Sequence, residues 1–209
     1  MDAIRKTFDE WAENGRAELM EIEHGKNVTK FLKTIPFAKP FSFLDVGCGN
    51  GWVVRKIAEE KNCRKAIGID KSKKMIKQAI KKKTSGKEKF ICTDIQSWQH
   101  NGKFDFVFSM ESLYYTNSIE DTLKKIFSIL KPGGQFFCGT DFYKDNKATA
   151  KWANIMNIQM HLHSKQEWKK FFKEAGFETK TRQIKELKGN KKWKREMGTL
   201  FIIGQKPKR

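Results

Sequence analysis

Cysteine is scarce in this chain of 209 residues: four, at positions 48, 63, 92 and 138, with no C-x-x-C pair. That spacing excludes a zinc ribbon and the disulfide frame of a small secreted domain, and the four read as reduced thiols. Histidine is as rare, with four residues, two of them in His161-Leu162-His163, so no metal centre is expected. Long apolar runs are missing as well; the segment Phe41-Ser42-Phe43-Leu44-Asp45-Val46 is typical, and no stretch can cross a bilayer. The start, Met1-Asp2-Ala3-Ile4-Arg5, lacks the uninterrupted apolar core of a secretory signal. A soluble, cytoplasmic protein without membrane contact is the expectation.

Acid is the minority charge: 24 Asp and Glu stand against 43 Lys and Arg, a formal net charge of +19. Only 7 of the basic residues are arginine, the residue whose planar fork suits phosphate and guanine edges. A lysine-rich surplus attracts polyanions through summed charge without requiring a nucleic-acid partner. Nine lysines fall between Lys71 and Lys89, but Met75, Ile76, Ala79 and Ile80 recur there at helical spacing, so they read as the wet face of an amphipathic helix.

What is present suffices for a packed core, with 38% hydrophobic and 12% aromatic residues. Strand-like segments at 41–46, 66–70, 89–93, 104–110, 134–140, 177–187 and 199–204 alternate with helical patterns at 51–60, 72–82, 119–130 and 164–175. This alternation indicates an α/β fold with a parallel sheet covered on both faces. The last two strands have only the turn-prone Lys188-Gly189-Asn190-Lys191 between them, so they should form an antiparallel hairpin. Residues 2–34 read as two helices broken near Asn14-Gly15, with Phe8, Trp11 and Ala12 in one apolar patch. A second patch is Leu19, Met20, Ile22, Val28, Phe31 and Leu32. The expected organisation is a helical lid over 1–36 and one α/β domain over 37–209.

The informative segment is Phe43-Leu44-Asp45-Val46-Gly47-Cys48-Gly49-Asn50-Gly51-Trp52, an apolar strand running into alternating glycines and then a helix. Glycines here let the backbone turn sharply and let a ligand lie against it. A dinucleotide fingerprint would need a third glycine where Trp52 stands, and no G-x-x-x-x-G-K-[ST] phosphate loop occurs. One strand later Asp70 follows Ile67-Gly68-Ile69, placed to accept hydrogen bonds from both ribose hydroxyls. The third strand ends at Asp94, which can take a proton from an adenine amino group. Together these describe a nucleoside site without phosphate.

On these motifs, with Phe104-Asp105-Phe106-Val107 and Leu130-Lys131-Pro132-Gly133-Gly134, the chain resembles the class I S-adenosylmethionine-dependent methyltransferases with a type 11-like domain. The resemblance spans residues 41 to 141. It implies a Rossmann-like, doubly wound seven-stranded sheet of order 3-2-1-4-5-7-6 with the last strand antiparallel. It implies S-adenosyl-L-methionine as cofactor, its methionine half on Asp45 and the loop Gly47, Cys48, Gly49 and Gly51. Asp70 with neighbouring Lys71 would take the ribose, and Asp94 with Ile95 the adenine. Ser109 at the end of strand four would complete the set, and a lid arginine, Arg16, could pair with the cofactor carboxylate.

Acceptor-facing residues should lie after strands four and five. There are three tyrosines against 17 phenylalanines, and all three, Tyr114, Tyr115 and Tyr143, fall in those two loops, which argues that their hydroxyls are used. Glu111 and Asp141 stand among them, acids against the global sign, and acids with aromatics suit a cationic or amine acceptor. Glu111 is the first candidate for general base, with Tyr114, Tyr115 or His161 as alternatives, and Asp141, Tyr143 and Trp193 are candidate substrate contacts. His161-Leu162-His163-Ser164 precedes a helix on which Ser164 and Glu167 should form a capping box. The basic segment 188–195 with Trp193 should border the site mouth, or be a solvated turn.

The [DN]-P-P-[YF] signature of many DNA and protein amino methyltransferases is absent, Ser109-Met110-Glu111-Ser112 standing in its place. No cysteine follows any of the four prolines, as RNA cytosine-5 enzymes require. The leading expectation is methyl transfer to a small polar acceptor, an amine in particular. The alternatives are an RNA (tRNA or rRNA) methyltransferase using the basic exterior, or a non-catalytic cofactor-binding partner subunit. Oligomeric state is not legible in the sequence.

Overall fold

The expected alternation of strands and helices folds into one seven-stranded sheet in the computed structural model, which describes residues 3–208. Helices α1 (Ala3–Glu13) and α2 (Arg16–Leu32) precede β1 (Phe41–Val46), α3 (Trp52–Ala58), β2 (Cys63–Asp70), α4 (Lys73–Lys81) and β3 (Glu88–Cys92). Then come β4 (Phe104–Met110), α5 (Ile119–Ile129), β5 (Leu130–Thr140), α6 (Trp152–Met156), α7 (Lys165–Glu174), β6 (Glu178–Ile184), α8 (Lys192–Glu196) and β7 (Thr199–Gln205). The order is β3-β2-β1-β4-β5-β7-β6, and only β7 runs against the others. This is the order expected of the family the sequence resembles.

All six residues of β1 are buried, as befits a central strand covered on both faces. On one face Phe136 stacks on Phe172 of α7 at 5.3 Å within a core that includes Leu44, Val107 and Leu123. On the other, Phe31 of α2 stacks on Phe201 of β7 at 3.9 Å, beside Phe43, Val54 and Ile57. The C-terminal half of α2 therefore belongs to the core, while Leu19 (50% exposed) and Ile22 (70%) point outward instead of joining the expected patch.

Gly15 (φ 80°) makes the expected break between α1 and α2. Helix α1 lies along α4: Asp9 accepts from the Ser72 hydroxyl at 2.6 Å and the Lys74 amide at 3.1 Å, and Gln78 donates to the Ala12 carbonyl. Helix α4 buries Met75, Ile76 and Ala79 and turns its lysines to solvent as expected, although Ile80 is 55% exposed. Ser164 and Glu167 form the expected capping box at α7. Between β6 and β7 the chain is not a bare turn: α8 forms there, because Trp193 and Lys194 have partners to face inward. The four cysteines are free, and among the described residues there is no metal-capable cluster and no helix long and apolar enough to cross a membrane.

Candidate active site

The parallel strands β1, β2, β3 and β4 deliver their carboxyl ends to one rim, where a cavity of about 520 Å³ opens under α1 and α2. One half of it is backbone. The amides of Gly47 and Cys48 donate to the Ile69 carbonyl at 2.9 and 3.0 Å, folding the glycine loop over the tip of β2. Asp70 accepts from the Gly49 amide at 2.9 Å and the Ser72 amide at 2.8 Å, one bond on each oxygen, so it anchors the loop and the start of α4 together. Gly51 (φ 80°) faces away from the cavity; a Cβ there would lie 2.5 Å from the Phe90 ring and 2.9 Å from Ala79.

Asp45, Gly47, Cys48, Gly49, Asp70, Lys71, Asp94 and Ile95 line this half, as the motif reading requires. Burial and the neighbouring Asp70 charge push Asp45 well above the usual carboxylate range, and burial raises Asp70 as well. Two adjacent acids facing a cavity, Asp45 buried and Asp70 half-buried, favour a cation, because a positive ligand offsets the cost of holding both charges out of water. Asp94 pairs with Lys71 at 3.1 Å and accepts from the Gln96 amide at 2.9 Å. Ser109 does not reach the cavity: its side chain is sealed inside the sheet.

The other half is built of side chains from distant segments. Glu111 takes φ 52°, uncommon for a residue with a Cβ, and this turns its carboxylate inward at the end of β4. Its Oε2 accepts from the Tyr114 hydroxyl at 2.7 Å and its Oε1 from the Asp141 amide. Burial and the charge of Asp141 push Glu111 up to about 7. Burial also raises Tyr114 and Tyr115 further above the ordinary phenol range, so both stay protonated and act as donors rather than bases. Phe8, Trp11, Trp152 and Trp193 supply aromatic walls, and Arg16 lies over the Trp11 ring at 5.3 Å on the lid side.

Glu111, Tyr114, Tyr115, Trp193 and Arg16 are thus brought together at the cavity. Three other candidates are not. Tyr143 is fully buried, its hydroxyl 3.3 and 3.4 Å from the Met197 and Gly198 carbonyls; the hydroxyl is used, but to brace the start of β7. His161 turns away and binds the Thr116 carbonyl at 2.9 Å, holding the tyrosine loop from behind. Asp141 is sealed behind the wall, where its Oδ2 lies 3.3 Å from Nδ1 of His24. Within the basic segment, Lys191 and Trp193 border the cavity, but Lys194 is only 4% exposed and donates to the Glu23 carbonyl, a structural latch rather than a surface charge. His24 lines the cavity and was not legible in the sequence, where it is one polar residue on an amphipathic helix 117 positions from its partner.

Residues 10–181 match the methyltransferase domain family. The chain belongs to that family. This methyltransferase is 27% identical over 135 residues to a malonyl-[acyl-carrier protein] O-methyltransferase of Priestia megaterium, covering 65% of this chain and 47% of that enzyme. It thus spans about half the length of that curated relative. A Haloferax volcanii structure, the complex between the Trm112 methyltransferase activator and a methyltransferase, superposes with a TM-score of 0.90 at 27% identity, covering 96% of this chain and 97% of that one. A Haemonchus contortus phosphoethanolamine N-methyltransferase 2 solved with S-adenosyl-L-methionine shares the fold, with a TM-score of 0.70, 17% identity and coverage of 88% and 52%. A methyltransferase domain therefore accounts for most of the chain.

Proposed function

We propose that this methyltransferase acts on a small polar acceptor carrying an amine, bound in the side-chain half of the cavity. The observation that carries the reading is Glu111: a half-buried carboxylate lining an aromatic-walled cavity in a protein of charge +19. A carboxylate and aromatic faces together stabilise an amine by charge and by cation–π attraction. Tyr114, fixed by Glu111, and Tyr115 orient the acceptor through their hydroxyls.

S-adenosylmethionine supplies a methyl group on a sulfonium sulfur, and the protein's share is orientation of donor and acceptor. In this reading Asp45 and the Gly47–Gly49 backbone hold its amino-acid end, Asp70 its ribose and Asp94 with Ile95 its adenine. Asp70 has spare lone pairs for ribose hydroxyls beside its two backbone bonds. Arg16 closes over the carboxylate end. Helices α1 and α2 act as the lid, and their ion pairs Glu18–Lys82 (2.5 Å) and Glu13–Lys74 (2.6 Å) hold it down.

The test is methyl transfer from tritium-labelled S-adenosylmethionine into cell extract divided into RNA, protein and small-molecule fractions. Label in amine-bearing small molecules is expected; label in RNA alone contradicts the reading. The second reading, RNA as substrate, rests on the lysine surplus and on Lys191 and Trp193 at the mouth. It requires affinity for RNA that falls steeply between low and moderate salt. An activator subunit like the one in the Haloferax complex is a further expectation, checked by copurification.

A further inference from the structure

Among the titratable groups on the cavity wall outside the set the motifs point to, His24 has a setting that is built rather than incidental. His24 projects from α2 with Nδ1 sealed and turned to the buried carboxylate of Asp141 at 3.3 Å. The ring lines the cavity, and because Nδ1 is sealed on the Asp141 side, Nε2 is the nitrogen left toward the cavity. Neither oxygen of Asp141 nor Nδ1 of His24 has a formed hydrogen bond, and His24, at 3.3 Å, shares that carboxylate's surroundings with Thr199 and Lys194. The helix is latched around this point: Lys191 pairs with the Glu23 carboxylate at 2.8 Å, Lys194 takes the Glu23 carbonyl, and Asn27 donates to Thr199 at 3.0 Å. Glu111, by contrast, has each oxygen already accepting a protein hydrogen bond.

We infer that His24, oriented by Asp141, is the base that takes the proton released when the acceptor is methylated, with Glu111 holding Tyr114 and the acceptor in place. The inference rests on the proposed reading only in needing an acceptor that carries an N–H or O–H proton. As the acceptor's electron pair closes on the donor methyl carbon, the carbon–sulfur pair returns to sulfur. The displaced proton passes to Nε2 of His24, and the imidazolium formed is stabilised by Asp141 through the proton on Nδ1. Because the base rides on α2, it is in place only when that helix is docked.

The charged groups around the ring set the direction of its titration. Burial disfavours the imidazolium, Asp141 just after β5 and Glu111 just after β4 favour it, and Lys194 from α8 opposes it; the net effect is a rise above the ordinary 6.5. Tyr114 from the β4 loop stays neutral, and Glu23 on α2 itself is neutralised by Lys191. The rate should therefore have an acidic limb above pH 6.5 and climb as His24 loses its proton.

Two measurements decide the matter. The first needs no turnover: nitrogen-15 NMR titration of the ligand-free protein. It should show neutral His24 protonated on Nδ1, with a midpoint above 6.5 that falls in Asp141→Asn. A proton on Nε2, or a midpoint indifferent to Asp141→Asn, overturns the inference. The second is transfer of tritiated methyl into whichever extract fraction the wild-type enzyme labels. His24→Asn, which keeps a donor toward Asp141 but has no base, should bind S-adenosylmethionine normally in calorimetry and transfer about 10²-fold or more slowly. Asp141→Asn should slow transfer about tenfold and move the acidic limb to lower pH. Wild-type rates in His24→Asn with intact cofactor binding contradict the assignment even where small amines are labelled. Label in RNA alone defeats the amine reading and leaves the same comparison to be made on RNA.

Discussion

The two halves of the cavity are made differently. The cofactor half comes from adjacent strand tips, and its key contacts are backbone: Gly47, Cys48, Gly49 and Ser72 amides organised by Ile69 and Asp70. The acceptor half comes from α1, α2, the β4 loop, α6 and α8, and its contacts are side chains. Backbone geometry dictated by glycine positions tolerates little variation, whereas a wall of side chains can be rebuilt without disturbing the sheet. In the proposed reading the first half holds the cofactor and the second selects the acceptor.

That contrast is sharpest at single residues. Asp70→Ala should weaken S-adenosylmethionine binding by more than about 10²-fold in calorimetry, since charge-assisted hydrogen bonds contribute roughly 1.5–3 kcal/mol each and the Gly49 turn loses its anchor. Retained affinity would break the division, because the ribose would have to lie elsewhere. Glu111→Gln should leave cofactor affinity within about twofold while slowing transfer about 10- to 10²-fold. Loss of cofactor binding in that variant would merge the two halves.

Acidity separates them as well. Asp45 and Asp70 are both raised by burial, and a bound cation favours their ionised forms. Cofactor affinity should therefore grow as pH rises through their elevated values and decline as pH falls below them, with proton release on binding. Calorimetry in buffers of differing ionisation enthalpy reads that proton directly; binding without proton release at mildly acidic pH contradicts the charge account.

Smaller effects test the supports. Gly51→Ala should cost about 1–3 kcal/mol of stability in denaturant unfolding, because φ 80° is unfavourable for a Cβ that also meets Phe90. Ser164→Ala removes only the α7 cap, about 1 kcal/mol, and should leave both cofactor affinity and transfer unchanged.

The cofactor half was legible in the sequence because its determinants are contiguous: a strand, spaced glycines and an acid at each of two following strand tips. The sheet order came with it, since strand–helix alternation and a final strand pair admit few topologies. The acceptor half was legible only at Glu111, Tyr114, Tyr115 and Trp193, residues unusual for their surroundings. Tyr143 shows the limit of such reasoning: its hydroxyl is used, as its rarity argued, but by the carbonyls of Met197 and Gly198. Lys194 looked like one more lysine in a basic run, and only its burial against Glu23 sets it apart from Lys192. His24 and Asp141 meet through tertiary packing of α2 on the far part of the sheet, and no local pattern records that encounter.

The most direct test of the division is a crystal structure of the enzyme with S-adenosylhomocysteine. The account requires the ribose at Asp70, the adenine beside Asp94 and the amino-acid tail over Gly47–Gly49, leaving Glu111, Tyr114 and His24 facing open space. A nucleoside seated instead among Trp152, Trp193 and Tyr115 would contradict it.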